Sequence, residues 1–113
     1  MSQEIQKNLR YELDDKLAEL LPESWHLYFQ PPGEEVENLN LKYPALIYRK
    51  TSGDTKFANN GMYMYYRQYE LTFIYEDPDD ETPFNVMSQF TYCRADRHFV
   101  TNNLHHDTVV LYF

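Results

Sequence analysis

The feature that most constrains this chain is the run from Met62 to Tyr75. In its second half polar and apolar residues alternate as far as Phe73: Tyr69, Leu71, Phe73 and Tyr75 fall on one side, and Gln68, Glu70 and Thr72 on the other. A period of two marks a β-strand with one buried face. The first half, Met62-Tyr63-Met64-Tyr65-Tyr66, is apolar on both sides. Strands commonly hold about five or six residues, so a run this long either leaves its sheet or bends at a bulge, here expected near Arg67. The fold must be a sheet built around this strand, with something covering the face of Tyr69, Leu71, Phe73 and Tyr75.

The cover is legible at the N-terminus. Ile5, Leu9, Leu13, Leu17 and Leu20 recur every three to four residues, which predicts an amphipathic helix over 2–21. Ser2 is its candidate N-cap, Glu4 opposes the helix dipole, and Pro22 ends it. A second, short helix is expected over 83–90, with Thr82 as N-cap and Pro83 at the first position. Between the helices, strands are expected over 25–29 and 45–50. The segment 51–61 carries Gly53, Asp54, Asn59, Asn60 and Gly61, and reads as the mobile loop of a long hairpin. Further strands are expected over 98–101 and 108–113, separated by the turn residues Asn102 and Asn103. The layout is α+β: two helices packed on a mainly antiparallel sheet of about four to five strands with a long hairpin. With 113 residues the chain forms a single domain, 1–113.

Charge narrows the function classes. The formal net charge is −8, which disfavours nucleic-acid binding through phosphates and binding to anionic membranes. An acidic surface can still lie beside DNA and let it slide. Cys93 is the only cysteine, so neither an intrachain disulfide nor a Cys-based zinc site is possible. The polar N-terminus is no signal peptide and no apolar run reaches the length of a span, so a cytosolic protein is expected.

Four places carry residues with chemical potential. Glu76-Asp77-Pro78-Asp79-Asp80-Glu81 has carboxylates for calcium but lacks the EF-hand spacing, and acids before a helix start are favourable anyway. His105-His106-Asp107, with His98 near in sequence, offers metal ligands, yet neighbouring histidines on a strand point to opposite faces. Cys93 beside Arg94 is a candidate nucleophile or, more simply, a small buried hydrophobe. Gly-rich phosphate loops and nucleophile elbows are absent. The fourth place is Phe57 with Met62, Tyr63, Met64, Tyr65 and Tyr66, since Tyr and Met are enriched at the centres of protein interfaces. The reading favours a subunit interface there, with no catalytic residue, metal or cofactor assigned.

The order of segments resembles the small tail-terminator and tail-completion (neck) proteins of long-tailed bacteriophages and prophages. The resemblance runs through the helix ending in Leu20-Leu21-Pro22, the strand and break Tyr28-Phe29-Gln30-Pro31-Pro32-Gly33, and Tyr43-Pro44-Ala45-Leu46-Ile47-Tyr48. It continues through Tyr69-Glu70-Leu71-Thr72-Phe73-Ile74-Tyr75-Glu76-Asp77-Pro78-Asp79, Tyr92-Cys93, Asp96-Arg97-His98-Phe99 and Asn103-Leu104-His105-His106-Asp107 before Leu111-Tyr112. It implies a non-enzymatic virion protein assembled in the host bacterial cytoplasm. Such a protein forms a ring, commonly a hexamer, on the tail tube protein. The ring stops tube growth and offers a surface to the head-tail connector proteins, while DNA passes nearby without specific binding. A neck connector is the alternative within the class. A small acidic inhibitor that mimics DNA is the alternative outside it.

Overall fold

The computed structural model describes residues 2–31, 33–35, 40–59 and 62–113, with side chains over 10–31, 33–35, 40–51 and 67–113. Seven elements follow in order: α1 (Ser2–Leu20), β1 (His26–Phe29), β2 (Ala45–Asn59), β3 (Met62–Tyr75), α2 (Thr82–Met87), β4 (Cys93–Thr101) and β5 (Leu104–Tyr112). The strands form one sheet in the order β1-β2-β3-β5-β4. All neighbours are antiparallel except β1 and β2, which run parallel with His26 opposite Ala45. The architecture is therefore α+β, two helices on a five-stranded mixed sheet.

The helices cover the face marked by the alternation in β3. Tyr69, Leu71, Phe73 and Tyr75 are all buried there, with Leu46 and Tyr48 of β2 and Val109 and Leu111 of β5. Leu13 and Leu17, one helical turn apart in α1, enter this layer with no exposed surface, as does Val86 of α2. Each such aliphatic side chain contributes about 1.5–3 kcal/mol by leaving water. Trp25, just ahead of β1, packs edge-on against Phe73 at 6.1 Å and tilted against Tyr75 at 6.0 Å. A hydrogen bond joins α1 to the sheet: the Tyr48 hydroxyl donates to Asp14 Oδ2 at 2.5 Å.

Three local expectations change. The segment read as the loop 51–61 is ladder as far as Asn59: after a register shift between Lys50 and Asp54, pairing resumes as Asp54↔Arg67 and continues to Asn59↔Met62. The turn formers around Gly53 are absorbed by that irregularity, which suits a glycine in a strand. The bulge expected at Arg67 thus lies on the opposite strand, across from Gln68. Thr82 is not the N-cap of α2 but its first residue, and Glu81 occupies the cap without a side-chain bond. The Thr82 N–H donates instead to Asp80 Oδ1 at 2.9 Å, and the Asp79 N–H to Asp77 Oδ1 at 2.9 Å. Two of the clustered acids therefore fold their own turn.

The C-terminal hairpin is longer than its sequence pattern, with β4 beginning at Cys93 and β5 at Leu104. Its two-residue turn places Asn102 and Asn103 at φ 53° and 63°. Asparagine is among the few residues that accept this left-handed backbone, which matches the twist of a tight hairpin. β5 lies inside the sheet between β3 and β4, leaving β1 and β4 as the edges.

Candidate functional site

Two regions stand out. The first is the distal part of the β2–β3 hairpin. β3 pairs with β5 only from Gln68 onward, and Arg67 exchanges both backbone hydrogen bonds with Phe113, at 3.0 and 2.9 Å. Beyond that point, among the described residues, 54–59 and 62–66 pair only with each other across the ribbon. All six residues of the sequence-expected interface fall here: Phe57 is opposite Met64, and Met62, Tyr63, Tyr65 and Tyr66 are opposite Asn59, Ala58, Lys56 and Thr55. Their backbone register is defined, and their side chains lie outside the described residues.

The second region is a cleft of about 300 Å³ between α2 and the edge strand β4, lined by Pro83, Phe84, Met87, Ala95, His98 and Asp107 among others. Phe84 is 74% exposed at the cleft, the most exposed large apolar side chain among the described residues. α2 sets this geometry. Its Thr82, Pro83 and Val86 turn inward and are buried, so Phe84, on the opposite side of the turn, is directed outward.

The cleft floor holds a hydrogen-bonded chain. Asp107 Oδ2 accepts from the Tyr75 hydroxyl at 2.5 Å, and its Oδ1 pairs with His98 Nδ1 in a very short contact. Tyr75 stacks on His105 with ring centres 5.4 Å apart, and His98 lies 5.6 Å from His105. Burial first, then the hydrogen bond to Asp107, raises the Tyr75 hydroxyl well above the ordinary tyrosine range. His106 points to the other face, as neighbouring strand residues must, and stacks on Phe99 at 4.6 Å. The three sequence-linked residues 105–107 are thereby split between faces, and it is His98, from the partner strand, that joins Asp107. Among the described residues no three His, Cys, Asp or Glu side chains are arranged to hold one metal ion. The half-buried Cys93 thiol is pushed up by burial, which keeps it in the poorly nucleophilic protonated form.

Sequence reasoning grouped His98 with 105–107 but missed Tyr75 as Asp107's second partner, and it missed the exposure of Phe84. A signal existed for the first. In the alternation His105, Asp107, Val109, Leu111, the aspartate occupies a core-facing position, and a carboxylate there needs donors. On the other face of the sheet a hollow of about 320 Å³ is lined by Gln30, Ile47, Arg49, Glu70, Thr72, Ile74 and His106. Its rim carries the Arg49–Glu70 ion pair at 3.2 Å. Comparison with protein-family models, with curated proteins and with solved structures finds no match to this chain.

Proposed function

We propose that this chain is a non-enzymatic virion assembly protein of a long-tailed bacteriophage or prophage, a tail terminator. It forms a ring, six-membered as is common for the group, on the finished end of the tail tube and offers the opposite surface to the head-tail connector. The observation that carries the reading is the distal half of the β2–β3 hairpin, whose strands, among the described residues, pair only with each other. A two-stranded ribbon is marginal in water by itself, and this one carries Phe57 and the run Met62-Tyr63-Met64-Tyr65-Tyr66, with apolar residues alternating to both faces. Such a ribbon gains its cover from another chain. The ordered resemblance of segments described above supports the choice of terminator, and the charge of −8 suits a lumen through which DNA slides.

The test is electron microscopy of particles assembled without this chain. Tails of uncontrolled length beside free heads are the expected result. Tails of normal length that fail to join heads would reassign the protein to the neck, and intact infectious particles would remove it from the virion altogether.

A further inference from the structure

Beyond that reading, and without resting on it, we propose that the cleft between α2 and β4 docks an extended, basic segment of another protein. The segment adds a strand to the outer edge of β4 and sets an apolar side chain against Phe84. Three observations lead there.

The first is the open edge. β4 pairs with β5 on one side, and among the described residues no strand pairs with its other side. Apart from Cys93 and Phe99, every residue of β4 is exposed. Such an edge presents a row of backbone N–H and C=O groups with which a further strand can pair. The register break between Ala95 and Arg97 disturbs the first half of this edge. From Arg97 to Thr101 the strand pairs residue for residue with β5, over about the length of an ordinary strand.

The second is apolar surface on one side of that edge. Ala95, His98 and Val100 stand opposite Val109, Asp107 and His105 of β5, and so share the helix side of the sheet. Val109 is core there, and Asp107 and His105 reach Tyr75. The helices leave this end of the sheet open: Val100 is 54% exposed, and Phe84 of α2, 74% exposed, lines the cleft with Met87. A strand added beside β4 lies about 4.8 Å further out, and every second side chain of it stands on this side, at the mouth of the cleft. An edge strand flanked by an apolar hollow suits recognition by strand addition, in which backbone pairing gives affinity and pockets for alternate side chains give specificity.

The third is charge, which selects the occupant. The turn from Tyr75 into α2 carries Glu76, Asp77, Asp79, Asp80 and Glu81. Asp80 is near enough to the Tyr75 hydroxyl to act on it electrostatically, which places the turn beside the cleft floor. Asp77 and Asp80 accept backbone N–H groups of their own turn, and none of the five carboxylates has a cationic partner among the described residues. The cations of β4 face away. Arg94 and Arg97 stand opposite Val110 and Thr108 on the other side of the sheet, where the Arg97 guanidinium lies 4.8 Å from the Phe99 ring centre. The approach to the cleft is therefore acidic, and a segment that brings Lys or Arg beside its apolar anchor complements it. A second copy of this chain is the poorer occupant, because each copy carries a net charge of −8.

The test uses the full chain and a synthetic peptide alternating lysine with valine, about as long as β4. Binding is read by fluorescence anisotropy of the labelled peptide and by amide chemical shifts of the isotope-labelled chain. The lysine peptide binds, its affinity falls as salt rises, and the amides that shift are those of residues 97–101 and of α2. The same peptide with glutamate in place of lysine does not bind. N-methylation of the backbone nitrogens that face β4 weakens binding about tenfold or more, as does Phe84→Ala. Phe84 is exposed, so Phe84→Ala keeps the circular dichroism and melting temperature of the wild type. The double variant Asp79→Lys, Glu81→Lys is the second probe, and lowers both the affinity and its salt dependence. Absence of binding by the lysine peptide, equal binding of both peptides, or full binding to Phe84→Ala would overturn the site. Indifference to N-methylation would overturn strand addition. Concentration-dependent shifts of the same β4 amides without peptide would give the edge to a second copy instead. The particle phenotype decides the tail-terminator reading separately.

Discussion

Tyr48→Phe removes the hydroxyl that ties α1 to the sheet. The ring is fully buried, and its hydroxyl donates to Asp14 Oδ2 at 2.5 Å. A hydrogen bond to a charged acceptor is worth about 1.5–3 kcal/mol net. Asp14 is only half-buried and regains water once its donor is gone, so the low end applies, about 1.5 kcal/mol. With an unfolding entropy of about 2.1 cal/mol/K per residue over this length, the melting temperature falls by roughly 6 °C. The pH dependence discriminates further. Burial, and after it the bond to Asp14, raises the Tyr48 hydroxyl well above the ordinary tyrosine value. A group whose folded pKa is raised contributes in full below its unfolded pKa, about 10 for tyrosine. It loses that contribution as pH climbs toward the folded value, because only the unfolded chain ionises. At pH 11 that ionisation favours unfolding of the wild type by about 1.4 kcal/mol, nearly the whole bond. Urea midpoints of both proteins at pH 7, 9, 10 and 11 read this directly. The gap should be flat to pH 9 and close to zero near pH 11. A gap constant through pH 11 would refute the claim that the folded state holds this phenol neutral. No gap at pH 7 would refute the stabilising role of the bond.

Two further perturbations probe other parts of the fold. Leu17→Ala empties a site with no exposed surface between α1 and the sheet, and should cost about 2–5 kcal/mol by urea unfolding; a cost below 1 kcal/mol would mean that α1 does not seal the core. Asn103→Val puts a β-branched side chain at φ 63° and should cost about 1–3 kcal/mol, whereas Asn103→Gly should cost almost nothing; equal melting temperatures for the two variants would show that the turn relaxes.

Period and end signals made the elements legible. The 3–4 spacing of Leu13, Leu17 and Leu20 and the stop at Pro22 located α1, and the period of two in residues 69–75 located the core face of β3. Hydrogen bonding between distant segments was not legible. Gly53, Asp54 and Asn59 look alike as turn formers, yet the first two mark a register shift inside β2 and the last closes the ladder. Only the partner strand distinguishes these roles. β5 reads from Thr108 because His105 and His106 mask the alternation, although the tight Asn102-Asn103 turn already requires a strand from Leu104. The expectation of an interface at Phe57 and residues 62–66 rests on composition alone. The exposure of Phe84 was hidden, because 83–90 looks like an ordinary apolar helix until Phe84 is seen to point away from the core.

The polar chain on the cleft floor has a mechanical reading that links these parts. β4 is an edge strand whose register breaks between Ala95 and Arg97, after which pairing resumes and runs from Arg97↔Thr108 to Thr101↔Leu104. Just past that break, His98 is fastened to Asp107 of β5, and Asp107 is fastened in turn to Tyr75 of β3. Three neighbouring strands are thus locked by one carboxylate with both oxygens engaged. A docking cleft gains affinity when its walls are fixed before the partner arrives, since less motion remains to be lost. The position of this lock, beneath Phe84 and at the last residue of β3, gives the cleft floor a fixed shape.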